Sequence, residues 1–322
     1  MPKGFFTQGI AVLLREPLSL AEVRKLVEPK FDIVKETAAT GGWEMGGPSL
    51  VVSFRPEVNG YATIDVVTRP WPDHMGDPKQ EPTLFAAWSM GNFGPFAFPN
   101  GLTRSVQQAW TWDGASDAVA AHRAFARIRL TYLAGAADDA PVMPADCDPF
   151  AELRFATGLA LAVLDHPSTI CLFNPNGEVL MSAAGVRGAL ESAEEHGYPP
   201  LDAWVNVRLS RLGDDWLVMD TVGSRQIELR DLEAAFPAKL ADANEVGPFL
   251  RNVALHLVEN GLVIQHGHTV DGPGGVWRAL WLDDGLLSPP RDVLRLLPVA
   301  AKNVPPALDP AHKPDRPWWK LW

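Results

Sequence analysis

His266-Gly267-His268, with Asp271 three residues further on, comes closest among the residues of this chain to a metal-binding arrangement. Residues i and i+2 of an extended segment project to the same side, so both imidazoles can reach one ion, and Asp271 would have to supply the third ligand. The same spacing also describes a polar turn between two strands. Asp214-Asp215 and Asp283-Asp284 are paired carboxylates of the kind used in acid–base work, but they stand beside turn residues, where solvated charge is the ordinary role. No serine sits in a G-x-S-x-G elbow. Cys147 lies in an acidic linker that disfavours a thiolate, and Cys171 falls in an apolar strand. Gly272-Pro273-Gly274-Gly275 has neither the lysine nor the following helix of a phosphate-binding loop. His122 and His256 fall on expected helices without a second ligand nearby. The residues therefore argue for a protein that is not an enzyme and needs no cofactor. A metal-dependent hydrolase built on His266, His268 and Asp271 stands as the minor alternative.

The elements that position these residues follow from composition and pattern. The 322 residues are 47% hydrophobic and 21% charged, which suits two globular domains. Lys and Arg number 28 against 39 Asp and Glu, a net charge of −11 that argues against direct grip on nucleic acid phosphates. Residues 1–150 carry 13 basic and 17 acidic side chains, and residues 151–300 carry 11 and 20, so the second half reads as the acidic one. An acidic surface steers a basic partner to fast encounter. Glu191, Glu194, Glu195, Asp214 and Asp215 are the candidate rim of such an interface, with Trp318 and Trp319 as aromatic anchors. The apolar run Ile10–Leu14 is too short for an export signal. Thr157–Leu164 falls far short of the ~20 residues that cross a bilayer, so the expectation is a cytoplasmic protein that does not engage membranes.

Ile10, Val12 and Leu14 alternate with Ala11 and Leu13, as in a strand buried on both faces, and Ser19 and Glu22 form a capping box that opens a helix. Strands are expected at 31–34, 49–54 and 61–67, a short helix at 84–90 and a longer one at 116–133. Residues 134–149 lose periodicity and collect Gly, Pro and Asp, which places a domain boundary near 145. Asp148-Pro149 then caps a helix reaching Leu164. A hairpin follows at 169–181 with Asn176-Gly177 supplying positive φ, and a helix over 185–196 ends at Gly197. Residues 204–209 alternate, 216–219 make the returning strand, Pro248 begins a helix, and 262–265 and 276–282 are strands. This order lacks regular βαβα alternation, so the fold class is α+β, with two halves (1–145 and 146–300) of largely antiparallel sheet flanked by helices. Residues 301–322 are an extended Pro/Trp-rich tail.

Ala203-Trp204-Val205-Asn206-Val207-Arg208-Leu209, the Trp-containing hairpin after it, Ile227-Glu228-Leu229, the helix 249–259 and Gly267-His268-Thr269-Val270 resemble the bacterial domain of unknown function 4261. That family shows a similar W-V-N-V-R-L strand and a later G-D-T-[IV] turn. Here His268 stands where the turn usually has an acid, which weakens a metal site. The resemblance implies a cytoplasmic immunity protein, encoded beside a secreted toxin, that binds a cognate toxin. A type VI secretion nuclease effector with a basic nuclease domain is the partner implied. A secretion-system adaptor that docks through the tail is the other alternative.

Overall fold

The structure, a computed structural model, describes residues 4–39, 41–137 and 140–308. The chain forms two compact units divided between Trp204 and Val205. Sequence reading places the boundary near 145, where composition shifts. The structure differs because residues 149–181 complete the first unit: β6 (Thr169–Asn174) pairs with β1 (Gln8–Leu14). A linker-like composition marks a surface crossing here, not the end of a sheet.

In chain order the first unit contains β1, α1 (Leu20–Val27), β2 (Ile33–Thr37), β3 (Ser49–Arg55), β4 (Gly60–Val67), α2 (Pro82–Ser89) and α3 (Gly101–Gln107). There follow α4 (Ala115–Ala120), β5 (Ala124–Thr131), α5 (Pro149–Leu164), β6, β7 (Val179–Met181), α6 (Ala183–His196) and α7 (Leu201–Trp204). Its seven strands pair antiparallel in the order β2-β3-β4-β5-β1-β6-β7. The alternation in β1 works as its pattern requires: Ile10, Val12 and Leu14 enter the core beneath α1, α5 and α6, while Ala11 and Leu13 enter a second core on the other face. That second core is aromatic, with Trp71 edge-on to Trp88, Phe93, Phe125 and Phe173.

Several local signals act as their chemistry demands. Ser19 and Glu22 close the capping box of α1, Asp148 caps α5 through the Phe150 and Ala151 N–H groups, and Gly197 ends α6 at φ 72°. The helix expected over 116–133 is corrected: α4 stops at Ala120, and 124–131 is the central strand β5, all eight residues buried. The 3.6-residue spacing of Ala121, Phe125, Ile128 and Tyr132 coincides with a strand whose inward positions are shared between apolar side chains and Arg127 and Arg129. At the 169–181 hairpin the left-handed residue is Glu178 (φ 50°), not Gly177.

The second unit is β8 (Asn206–Leu212), β9 (Trp216–Val222), β10 (Asp231–Pro237), α8 (Ala243–Asn260), β11 (Thr269–Gly272), β12 (Gly275–Leu282) and β13 (Val293–Pro298). Its sheet order is β11-β12-β13-β10-β9-β8, with only β10 and β13 parallel. α8 begins at Ala243, capped by Asp242, so Pro248 lies inside it and does not start it. Residues 262–265 are irregular; the strand of that region is β11. α8 packs on β9 and β10, where Phe236 and Phe249 flank Trp277. The fold is α+β, as patterning indicates. No helix of the described residues is long and apolar enough to cross a membrane.

Candidate functional site

Opposite the α8 side, the second sheet buries a row of charge. Strand register sets Arg208 of β8 against Asp220 of β9, Asp220 against Glu233 of β10, and Glu233 against Arg295 of β13. Arg208 donates through Nε to Asp220 Oδ1 at 3.0 Å and through Nη2 to Oδ2 at 2.6 Å. Arg295 Nε donates to Glu233 Oε1. Arg291 donates through Nη2 to Asp220, and its Nε lies 3.1 Å from Asp231 Oδ2. The segment 283–292 is fastened over the row. Leu286 N–H donates to Glu233 Oε2 at 2.6 Å, Arg208 Nη1 to the Ser288 carbonyl at 2.8 Å, and Arg291 Nη1 to the Leu287 and Pro289 carbonyls.

The three acids are at most 3% exposed. Burial pushes Glu233 and Asp231 above the usual carboxylate range, against the pull of Arg295 and Arg291 respectively. Burial works to lower Arg291, but the carboxylates of Asp220 and Asp231 outweigh it and raise it. Every carboxylate oxygen of Asp220, Asp231 and Glu233 has a donor or guanidinium against it. No acid in the row is open to a substrate proton. The row acts as a latch that fixes the 283–292 segment to the sheet.

The first unit has a smaller counterpart. Asp65 of β4, opposite Arg127 of β5, accepts from Arg127 Nη2 at 2.7 Å and from Arg129 Nη2 at 3.3 Å. Burial works to raise Asp65, but Arg127 and then Arg129 outweigh it and hold its carboxyl low. Arg129, buried beside Arg127, is pushed down to about 9. These arginines also take the carbonyls of Trp43, Glu44 and Met45, pinning that loop to the sheet. Sequence reading did not find either network: Asp65 and Arg127 stand on strands far apart in the chain, and the second row needs the register of β8, β9, β10 and the distant β13 together. The one available signal was arginine at alternate positions of otherwise apolar strands.

The predicted surface residues divide between the units. Glu191, Glu194 and Glu195 are exposed on one face of α6, in its last two turns, spaced i, i+3 and i+4. None of the three makes an ion pair among the described residues. Asp214 and Asp215 are exposed in the β8–β9 turn of the other unit, at a groove of about 600 Å³ also lined by Trp216, Lys239, Lys302 and Pro305. Trp318 and Trp319 lie outside the described residues. His266 and His268 are exposed, and each turns Nδ1 to a backbone N–H, of Trp281 at 3.1 Å and of Gln265 at 3.2 Å. Asp271 is exposed on β11. The described residues contain no group of three or more His, Cys, Asp and Glu able to hold a metal.

The division at 204/205 also redistributes charge. Residues 1–204 carry 15 basic and 24 acidic side chains, residues 205–322 carry 13 and 15. The acidity expected of the second half resides in the first unit, and three acids of the second unit are spent inside its own sheet.

Fold and networks together define a two-unit α+β protein whose second unit is organised by an internal ionic row. Residues 220–297 match the model of a domain of unknown function, DUF4261. That stretch runs from Asp220 to Leu297 and so contains every member of the row except Arg208. No curated protein and no solved structure matches the chain.

Proposed function

We propose that the chain is a non-enzymatic immunity protein that binds and neutralises a cognate protein toxin, and that α6 of the first unit is its steering and contact face. The observation that carries this reading is the placement of Glu191, Glu194 and Glu195. The C-terminal end of a helix carries partial negative charge, and like charges at i, i+3 and i+4 repel, so three glutamates there weaken the helix. Arginine or lysine would serve α6 better. An exposed, unpaired acidic cluster retained against local stability fits a face selected for a basic partner. The fastened 283–292 segment and the pinned loop at 43–47 favour the same reading, since preformed surfaces bind with less ordering loss.

A type VI secretion nuclease effector is the toxin class proposed, by similarity in size and acidic balance to the immunity protein TsiT. A cytoplasmic location belongs to the same proposal, because the toxin must be met where its substrate is. The test is co-purification of the full chain with the product of the adjacent gene, beside a Glu191→Lys/Glu194→Lys/Glu195→Lys variant. The reading expects a stable complex with the wild type and one at least about tenfold weaker with the variant. Absence of any complex with a neighbouring toxin would remove it.

A further inference from the structure

We propose that Cys147 is a site of oxidation by peroxide to a sulfenic acid, with Glu152 taking its proton and the Tyr132 hydroxyl placed to donate to the oxygen that the sulfur gains. Cys147 is partly exposed in the crossing from β5 to α5, the residue before the Asp148 cap. Its Sγ donates to Glu152 Oε1 at 3.3 Å. Glu152 lies in the first turn of α5, 1% exposed, and also accepts from Thr7 Oγ1 at 2.9 Å and Gln8 Nε2 at 3.3 Å. Residues from the start of β1, the end of β5 and the start of α5 therefore meet around one carboxyl.

Two features set this cluster apart. Asp65, Glu178, Asp220, Asp231 and Glu233, the other buried acids, each face an arginine, whereas Glu152 has no ion pair among the described residues. Burial pushes its carboxyl above the usual carboxylate range, toward the pH at which a proton acceptor works best. The second feature is Tyr132, 3% exposed, whose hydroxyl faces Glu152 and Cys147 but finds no partner in hydrogen-bond geometry. A buried hydroxyl is ordinarily paired, and a thiol sulfur is a weak acceptor. An oxygen on Cys147 Sγ supplies the missing acceptor.

The aspartates beside Cys147, which in sequence disfavour a thiolate, are engaged elsewhere. Asp146 accepts from Arg55 Nη2 at 2.7 Å, and Asp148 from the Phe150 and Ala151 N–H groups. Glu152 is thus the acid that governs the thiol. As Sγ attacks one oxygen of hydrogen peroxide, the S–O bond forms and the O–O bond breaks. The thiol proton passes through Glu152 to the departing hydroxide, so thiol and peroxide become sulfenic acid and water. Sulfur gives up two electrons and the peroxide takes them. The inference is independent of the α6 face and of toxin binding.

Treating the full chain with hydrogen peroxide, trapping sulfenic acid with dimedone and reading each thiol by peptide mass spectrometry tests it. The adduct should form at Cys147 and not at the fully buried Cys171. Cys147 should react at least about tenfold faster in the folded wild type than in the same chain unfolded in urea. Glu152→Gln, which keeps the shape, should slow it at least about tenfold, and Tyr132→Phe roughly fivefold, as for one hydrogen bond. A folded-state rate no greater than the unfolded one, or an unchanged rate in folded Glu152→Gln, would overturn the proposal. The wild-type comparison decides the matter even where a variant does not fold.

Discussion

Replacing Asp220 by Asn tests the ionic row where it is most connected. Asp220 is fully buried and takes both forks of Arg208 and one arm of Arg291. The amide has nearly the same shape, so the change removes charge without opening a cavity. Arg291 retains Asp231, whereas Arg208 loses the carboxylate that both its Nε and its Nη2 face. Breaking one side of a buried pair costs about 3–5 kcal/mol, because the remaining guanidinium is left desolvated. With a urea m-value of about 2 kcal/mol per M, the midpoint of the second unit should fall by roughly 2 M. Against a typical domain stability of about 5–15 kcal/mol, that is a large share. Because the chain has two units, unfolding should be followed by exchange of the β9 amides, which report the second unit alone. Arg208→Met completes a cycle in which the double variant should be at least about 1.5 kcal/mol more stable than the sum of the singles. A loss under about 1 kcal/mol for Asp220→Asn, or a coupling near zero, would refute the claim that the row fastens the sheet.

Reversing Glu191, Glu194 and Glu195 to lysine should raise the melting temperature of the first unit by roughly 2 °C while weakening toxin binding at least about tenfold, both measured by calorimetry on the same samples. His122 accepts the Trp71 N–H at Nε2 while Nδ1 meets the Val119 carbonyl, and burial holds its pKa below 6.5. The unfolded chain therefore protonates first. Its stabilising contribution is complete above pH 6.5 and declines as pH falls from there to the folded value, and His122→Gln should flatten that part of the stability profile in urea titrations. Gly94 has φ +127°, and a Cβ there would stand 2.6 Å from Asn176 Oδ1 and 2.9 Å from the Ala97 Cβ. Gly94→Ala should lower the stability of the first unit by about 2–3 kcal/mol in thermal unfolding.

Signals confined to a few neighbouring residues were readable. The capping box at Ser19, the Asp148-Pro149 entry to α5, Gly197 after α6 and the double-faced apolar pattern of β1 each depend only on local chemistry. What escaped depends on partners remote in sequence. β5 read as helix because its arginines look like solvent-facing residues until Asp65, more than sixty residues earlier, is brought opposite. The boundary fell at the wrong place because the pairing of β6 with β1 joins residues about 160 apart. The ionic row needs the register of four strands at once, so no single window contains it. The exposed glutamates of α6 could be named from sequence, but their position at the unfavourable end of a helix emerges only once the helix ends at Gly197.

Stopped-flow association of the full chain with the toxin encoded beside it, at about 50 mM and 500 mM salt, tests the α6 face most directly. The account predicts a rate constant that falls at least tenfold with salt, and by a similar factor when Glu191, Glu194 and Glu195 become lysine, with dissociation changing less. Association that is fast, insensitive to salt and unchanged by the three reversals would contradict it.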